Sequence, residues 1–139
     1  MKIFLFVISM LSTFICQAKS LGSEAEIDAL LESVMSEVGK GKVMEAVKEL
    51  KPYGIAPDSV FESNTLALSD ILPSIEKKFG STIGYDRISA KKSGSSLIEY
   101  VYIQKIEKSV LIWRFVFYRP AQEWILFSWA VNDKTDDLF

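Results

Sequence analysis

The C-terminal half of the chain, residues 85–132, is rich in β-branched and aromatic residues and is broken at short intervals by turn sequences. This pattern predicts four strands, at residues 84–91, 96–106, 110–119 and 123–131. The connections between them are too short for a crossover between parallel strands, which needs about a dozen residues or more. Neighbouring strands must therefore be antiparallel, and we predict a four-stranded meander.

The N-terminal half shows the apolar spacing of amphipathic helices instead. Ser23 and Glu26 predict a capping box, in which Ser23 is the N-cap and the Glu26 side chain reaches back to the backbone N–H of Ser23. Apolar residues then recur at helical spacing as far as Gly39, which predicts a first helix over this stretch. A second amphipathic stretch predicts a short helix over residues 43–50.

A third helix is predicted over residues 64–79, after a loop at residues 53–63, and Gly80 is its natural C-terminal stop. Pro73 either kinks this helix or lies near its true start. Helices followed by strands indicate an α+β fold. We therefore predict a single domain over residues 19–139, in which N-terminal helices pack on a curved, cone-like antiparallel meander.

The turn lengths predict which side chains share a face of the sheet. If the second connection is a two-residue turn, Tyr102 faces Trp113; if the third is a four-residue loop, Phe117 faces Trp124. The aromatic face then carries Ile98, Tyr100, Tyr102, Ile106, Leu111, Trp113, Phe115, Phe117, Trp124 and Leu126, with Ser128 and Ala130. The second face carries Leu97, Val101, Ile103, Ile112, Val116, Ile125, Phe127, Trp129 and Val131, with Glu99, Lys105 and Arg114 among them.

Both predicted faces are apolar, although an antiparallel sheet commonly keeps one face polar for water. Three helices can cover one face only, and we expect them on the aromatic face. The second face must then curl around a cavity that takes a small apolar ligand, be covered by a second subunit in a homodimer, or remain an exposed binding patch.

Glu99 and Arg114 are the best polar pair on the second face, since the predicted register places them diagonally within reach of each other. They could orient a polar ligand at the bottom of a pocket, or form an ordinary exposed ion pair worth ~0–1 kcal/mol. Together with Phe127 and Trp129 they are the predicted ligand-binding residues. We expect core packing to account for most of the other aromatic residues.

The composition removes several classes of chemistry. The sequence has no histidine, and its one cysteine is Cys16, so Ser-His-Asp and Cys-His nucleophiles and His-based metal sites are excluded. We predict no catalytic residue, no cofactor and no metal site. Asp133, Asp136 and Asp137 form the one conceivable carboxylate cluster, but we interpret them as a solvated chain end. A net charge of −2 gives no basic footprint for nucleic acid.

The N-terminus predicts export. Lys2 precedes an apolar stretch at residues 3–16, and small residues stand at the −3 and −1 positions of a cleavage site after Ala18. The stretch is shorter than the roughly 20 residues that a membrane span needs, so residues 1–18 are predicted to be a signal peptide that leaves no stable anchor after cleavage. A cut after Ser20, or lipidation of Cys16, is an alternative. Cleavage removes Cys16, the only cysteine, so the mature protein has no disulfide. We therefore predict that the protein is located in the periplasm of a Gram-negative bacterium, or is secreted.

Four segments of the chain resemble small exported bacterial members of the nuclear transport factor two-like, cystatin-like cone superfamily. They are residues 83–85, 111–120, 124–126 and 132–139. The resemblance implies a cone whose open end can hold a small molecule, and a sheet face used for dimerisation. Enzymes of that group usually place an Asp and a His inside the cone, and this chain has no His.

These features together predict a non-catalytic exported domain that binds or interacts, self-associating through the sheet. A carrier of a small apolar ligand in the cone is the alternative. A third hypothesis is an enzyme that uses Asp86 or Glu99 together with a tyrosine.

Overall fold

The computed structural model describes residues 18–139, so the predicted signal peptide lies outside the described residues except for Ala18. The helices are α1 (Glu24–Gly39), α2 (Val43–Leu50) and α3 (Asp58–Phe79), with 3-10 turns at Lys51–Tyr53 and Thr135–Leu138. The strands are β1 (Thr82–Ser93), β2 (Leu97–Ile106), β3 (Ser109–Tyr118) and β4 (Ile125–Asn132). They form one antiparallel sheet in the order β1-β2-β3-β4. The predicted α+β meander is confirmed.

The first helix begins after the predicted N-cap, Ser23, but Glu26 bonds to the backbone N–H of Gly22 and not to that of Ser23. The side chain of Ser23 accepts a hydrogen bond from the N–H of Glu26, and the Glu26 carboxylate in turn accepts from the N–H of Gly22. These bonds satisfy backbone donors that have no partner inside the helix.

The third helix is longer than predicted. It begins at Asp58, immediately after Pro57, so the predicted loop over residues 53–63 is wrong for its second half. Pro73 lies inside α3 rather than at its start. A proline removes one backbone hydrogen bond from the helix interior, and at this solvent-exposed position water can solvate the carbonyl that loses its donor.

The register between β2 and β3 is the predicted one, with Tyr102 opposite Trp113 across a two-residue turn. The predicted register between β3 and β4 is wrong, because Phe117 lies opposite Leu126 and not Trp124. The connection is longer than predicted, since β3 ends at Tyr118 and β4 begins at Ile125.

A β-bulge in β4 changes the faces of its second half. Val116 pairs with Ser128 while the next residue of β3 pairs with Leu126, which leaves Phe127 as the extra residue. A bulge exchanges the faces of the residues beyond it. Trp129 and Val131 therefore lie on the aromatic face, and the prediction of Trp129 on the second face is wrong.

The aromatic face packs against the helices, as predicted. Trp113, Phe115 and Tyr102 are fully buried there. They belong to one core cluster with residues of all three helices, among them Leu31, Val47, Phe61 and Leu68.

The second face is partly closed by its own side chains. Val101 and Ile112 are only 2% and 0% exposed although they belong to this face. Their cross-strand partners are Arg114 and Ile103, whose long side chains can fold over them. The more exposed apolar side chains of this face, such as Leu97, lie at its margins.

Candidate functional site

A groove of about 1070 Å³ lies between the start of β4, the segment that follows α2, and the first turns of α3. It is lined by residues 18–19, by residues from 48 to 64, and by residues 126–129. We call it the β4–α3 groove. Gly54 forms a bridge with Leu126, and the Ile55 N–H donates to the Leu126 carbonyl at 3.3 Å. These contacts hold the segment before α3 against the edge of the sheet, and so they form the groove.

The surface of the β4–α3 groove is largely apolar. Phe61 is 7% exposed and packs against Trp129 with a ring-centroid distance of 6.0 Å. Ile55, Val60 and Phe127 are far more open, at 46%, 46% and 53% exposure. Single exposed apolar side chains are common, but several that converge on one concavity mark a binding surface.

The charged residues of the groove are mostly basic. Lys19, Lys48 and Lys51 line it, against the single carboxylate of Asp58. The ammonium group of Lys51 lies 5.9 Å from the centre of the Phe61 ring. The groove therefore combines an apolar surface with an excess of positive charge.

Glu99 and Arg114 come together as predicted, with Oε1 and Nη1 separated by 3.4 Å. Their side chains are 38% and 21% exposed, so the pair contributes about 0–1 kcal/mol. Neither residue lines the β4–α3 groove. The pair is thus a feature of the second face and is separate from the groove.

Phe127 and Trp129 both line the groove, but the bulge places them on opposite faces of the sheet. Phe127 packs edge-on against Tyr118 at 6.4 Å, whereas Trp129 stacks on Trp113 at 6.4 Å. The four predicted ligand-binding residues therefore divide into two pairs at two places.

Sequence reasoning missed Ile55, Val60, Lys48 and Lys51 as groove residues. The first two lie in a segment that we predicted to be a loop, and we assigned no role to the two lysines from the sequence. The available signal was the presence of two β-branched apolar residues, Ile55 and Val60, in a segment predicted to be a loop, where polar residues dominate.

A second polar cluster connects α1 to the sheet. The Tyr85 hydroxyl donates to Oε2 of Glu32 at 2.6 Å, and this bond together with burial raises the pKa of Tyr85. Arg87 lies 3.4 Å from Asp28. Burial is the main cause that raises the pKa of Tyr102 to about 12. The raised pKa values keep both phenols neutral at pH 7, so neither offers an ionised oxygen as a base. Of the two, only the Tyr85 hydroxyl bonds to α1.

The remaining acidic candidates do not converge. Asp86 forms an ion pair with Lys105 at 3.4 Å and does not line the groove. Asp136 and Asp137 are exposed in the C-terminal 3-10 turn. From residue 18 to the C-terminus, no three acidic side chains are grouped as a metal ion would require.

Comparison with known proteins gives no match to a family model, to a curated protein or to a solved structure. The resemblance to the cone superfamily therefore stays a prediction. None of the helices in the described part of the chain combines the length and apolarity of a membrane span.

Proposed function

We propose that this protein is a non-catalytic exported binding domain that holds a small apolar ligand in the β4–α3 groove. The observation that carries the proposal is the convergence of Ile55, Val60 and Phe127, each about half exposed, on one concave surface. Full burial of such a side chain is worth about 1.5–3 kcal/mol, so covering the exposed halves of three would contribute about 3 kcal/mol. A ligand that shields them has a physical reason to bind.

The non-catalytic part of the proposal is supported by the composition. The chain has no histidine, so acid–base chemistry at neutral pH would fall to carboxylates, tyrosines or lysines. Burial raises the pKa values of Tyr100 and Tyr102, so both hydroxyls stay protonated at neutral pH and are disfavoured as bases.

The test is a titration of the protein with dodecanol, an uncharged apolar chain, followed by tryptophan fluorescence, to which Trp129 at the groove contributes. We expect saturable binding that Val60→Asp abolishes, because a carboxylate would have to be desolvated beneath the ligand. Leu66→Asp is the matched control, since Leu66 is 62% exposed on the same helix and does not line the groove. No binding by the unaltered protein, or equal loss in both variants, would refute the proposal.

Arg114→Leu separates the two places that the predicted residues occupy. If the ligand lies in the groove, this variant binds dodecanol as the unaltered protein does. If the Glu99–Arg114 pair instead orients the ligand, the variant loses affinity while Val60→Asp retains it.

Self-association through the second face is a second candidate function. Leu97 is 37% exposed there, beside a Glu99–Arg114 pair whose members could exchange partners across a two-fold axis. Sedimentation equilibrium should then show a dimer that Leu97→Asp dissociates. A monomer at high concentration would eliminate this candidate.

Export is proposed on the sequence of residues 1–18. Cleavage after Ala18 would make Lys19 the first residue, and its nitrogen already donates to the Pro52 carbonyl at 2.6 Å. An α-ammonium group can keep that bond. N-terminal sequencing of protein recovered from the periplasm of a Gram-negative host checks the site, and retention of the full chain in the cytoplasm would contradict export.

A further inference from the structure

We infer that the ligand of the β4–α3 groove is an amphiphile with an anionic head group, such as a long-chain carboxylate. This inference rests on the proposed function and adds the chemical class of the ligand. The exposed apolar side chains of the groove would be enough to bind a purely apolar ligand. Such a ligand would leave the lysines of the groove lining without a role.

The three lysines are brought together by the local backbone. Lys48 lies in the last turn of α2, and Lys51 follows it by three residues in the adjoining 3-10 turn. Lys19 is held beside them, since its backbone N–H donates to the carbonyl of Pro52 at 2.6 Å. Three ammonium-bearing side chains therefore start from one corner of the groove, which we call the basic corner.

The apolar side chains begin where the basic corner ends. The Lys51 ammonium lies 5.9 Å from the ring centre of Phe61, and the Phe61 ring packs on Trp129. An anionic group bound at Lys51 would thus have the apolar part of the groove directly beside it. Charge at one end and exposed hydrocarbon at the other match the two parts of a fatty-acid-like molecule.

The existing partner of Lys51 is easily displaced. Its ammonium lies 3.6 Å from Glu62, but the two side chains are 41% and 69% exposed, so this ion pair contributes little. Lys48 has no ion-pair partner within residues 18–139. A ligand carboxylate could therefore take hydrogen bonds from both lysines without breaking a strong contact.

The experiment compares three ligands with the same alkyl chain: dodecanoate, dodecanol and dodecyltrimethylammonium. The two ionic ligands are titrated into the protein below their critical micelle concentrations, and dodecanol below its solubility limit. We expect dodecanoate to bind about tenfold more tightly than dodecanol at low salt, and the cation to bind most weakly. The advantage of dodecanoate should shrink at high salt, because exposed charges are screened.

Lys48→Met is the informative variant, since it keeps the length of the side chain and removes the charge. It should lower dodecanoate affinity severalfold and so narrow the ratio between the affinities for dodecanoate and dodecanol. Lys77→Met, on the last turn of α3 and outside the groove lining, is the control and should change neither affinity.

The outcomes distinguish the proposal of an apolar binding groove from the inference that its ligand has an anionic head group. If dodecanol binds as tightly as dodecanoate, or if Lys48→Met and Lys77→Met behave alike, the anionic head group is refuted and the apolar groove stands. If none of the three ligands binds, the proposed function falls together with this inference.

Discussion

Replacing Tyr102 by phenylalanine should stabilise the protein. Tyr102 is fully buried on the aromatic face, and its hydroxyl has no hydrogen-bond partner within residues 18–139. Its ring packs edge-on against Phe115 with a centroid distance of 6.1 Å. Tyr102→Phe keeps the ring and this packing, and it removes only the oxygen.

The magnitude follows from the cost of a buried polar group. A buried hydroxyl that has lost its water and found no partner costs about 1–3 kcal/mol. Because the phenylalanine fills almost the same volume, little cavity penalty offsets the gain. We expect the free energy of unfolding to rise by about 1 kcal/mol, which for a domain of this size corresponds to an increase of roughly 4 °C in Tm.

The alkaline limb of the stability curve should change as well. The pKa of Tyr102 is about 12 in the folded protein against a reference value of 10.0. A group whose folded pKa is raised contributes stability that is complete below pH 10 and is lost as the pH rises to about 12. Tyr102→Phe should therefore lose less stability over this interval than the unaltered protein.

The assay is urea unfolding followed by circular dichroism, at neutral pH and at a series of alkaline pH values. Tyr85→Phe is the matched control, because its hydroxyl does have a partner in Glu32. That variant should lose about 0.5–1 kcal/mol, as a partly exposed bond to a carboxylate contributes that much. If Tyr102→Phe is instead destabilised by 1 kcal/mol or more, the hydroxyl has a partner in solution and the reasoning is wrong.

Two further predictions concern single positions in the fold. Gly80 and Gly41 both have positive φ, 93° and 81°, but of these two only Gly80 would bring an added Cβ against another side chain. In thermal unfolding, Gly80→Ala should therefore lose more stability than the roughly 1 kcal/mol expected of Gly41→Ala. Equal losses of stability in the two variants would contradict the crowding at Gly80. Gln104 is buried and accepts a hydrogen bond from the indole N–H of Trp113 at 3.0 Å. Gln104→Leu leaves that donor unpaired, so the free energy of unfolding in urea should fall by about 1–3 kcal/mol. An unchanged free energy of unfolding would show that the indole finds another acceptor.

The sequence alone determined the order and direction of the elements. Turns as short as the one between Ile106 and Ser109 leave antiparallel pairing as the only geometry, and side-chain alternation then assigned the faces of β2 and β3 correctly. The capping box at Ser23 likewise located the start of α1, because the interaction is complete within four residues. Such features are local, so they can be read from neighbouring residues.

The tertiary structure decided where the candidate site lies. The bulge at Phe127 turns Trp129 to the aromatic face, where it packs against both Trp113 and Phe61. The alternation of residues along β4 does not show an extra residue, because a bulge is fixed by packing against distant partners.

The β4–α3 groove depends in the same way on contacts between remote segments. Ile55 bonds to Leu126, about half the chain length further on, and Lys19 is held by Pro52. The predicted pair of Glu99 and Arg114 is only a diagonal neighbour on two adjacent strands, so the register alone was enough to find it. Residues that meet across the two-residue turn between β2 and β3 were thus predictable from the sequence. The pairing of β3 with β4, and the contacts of three separate segments at the groove, were not.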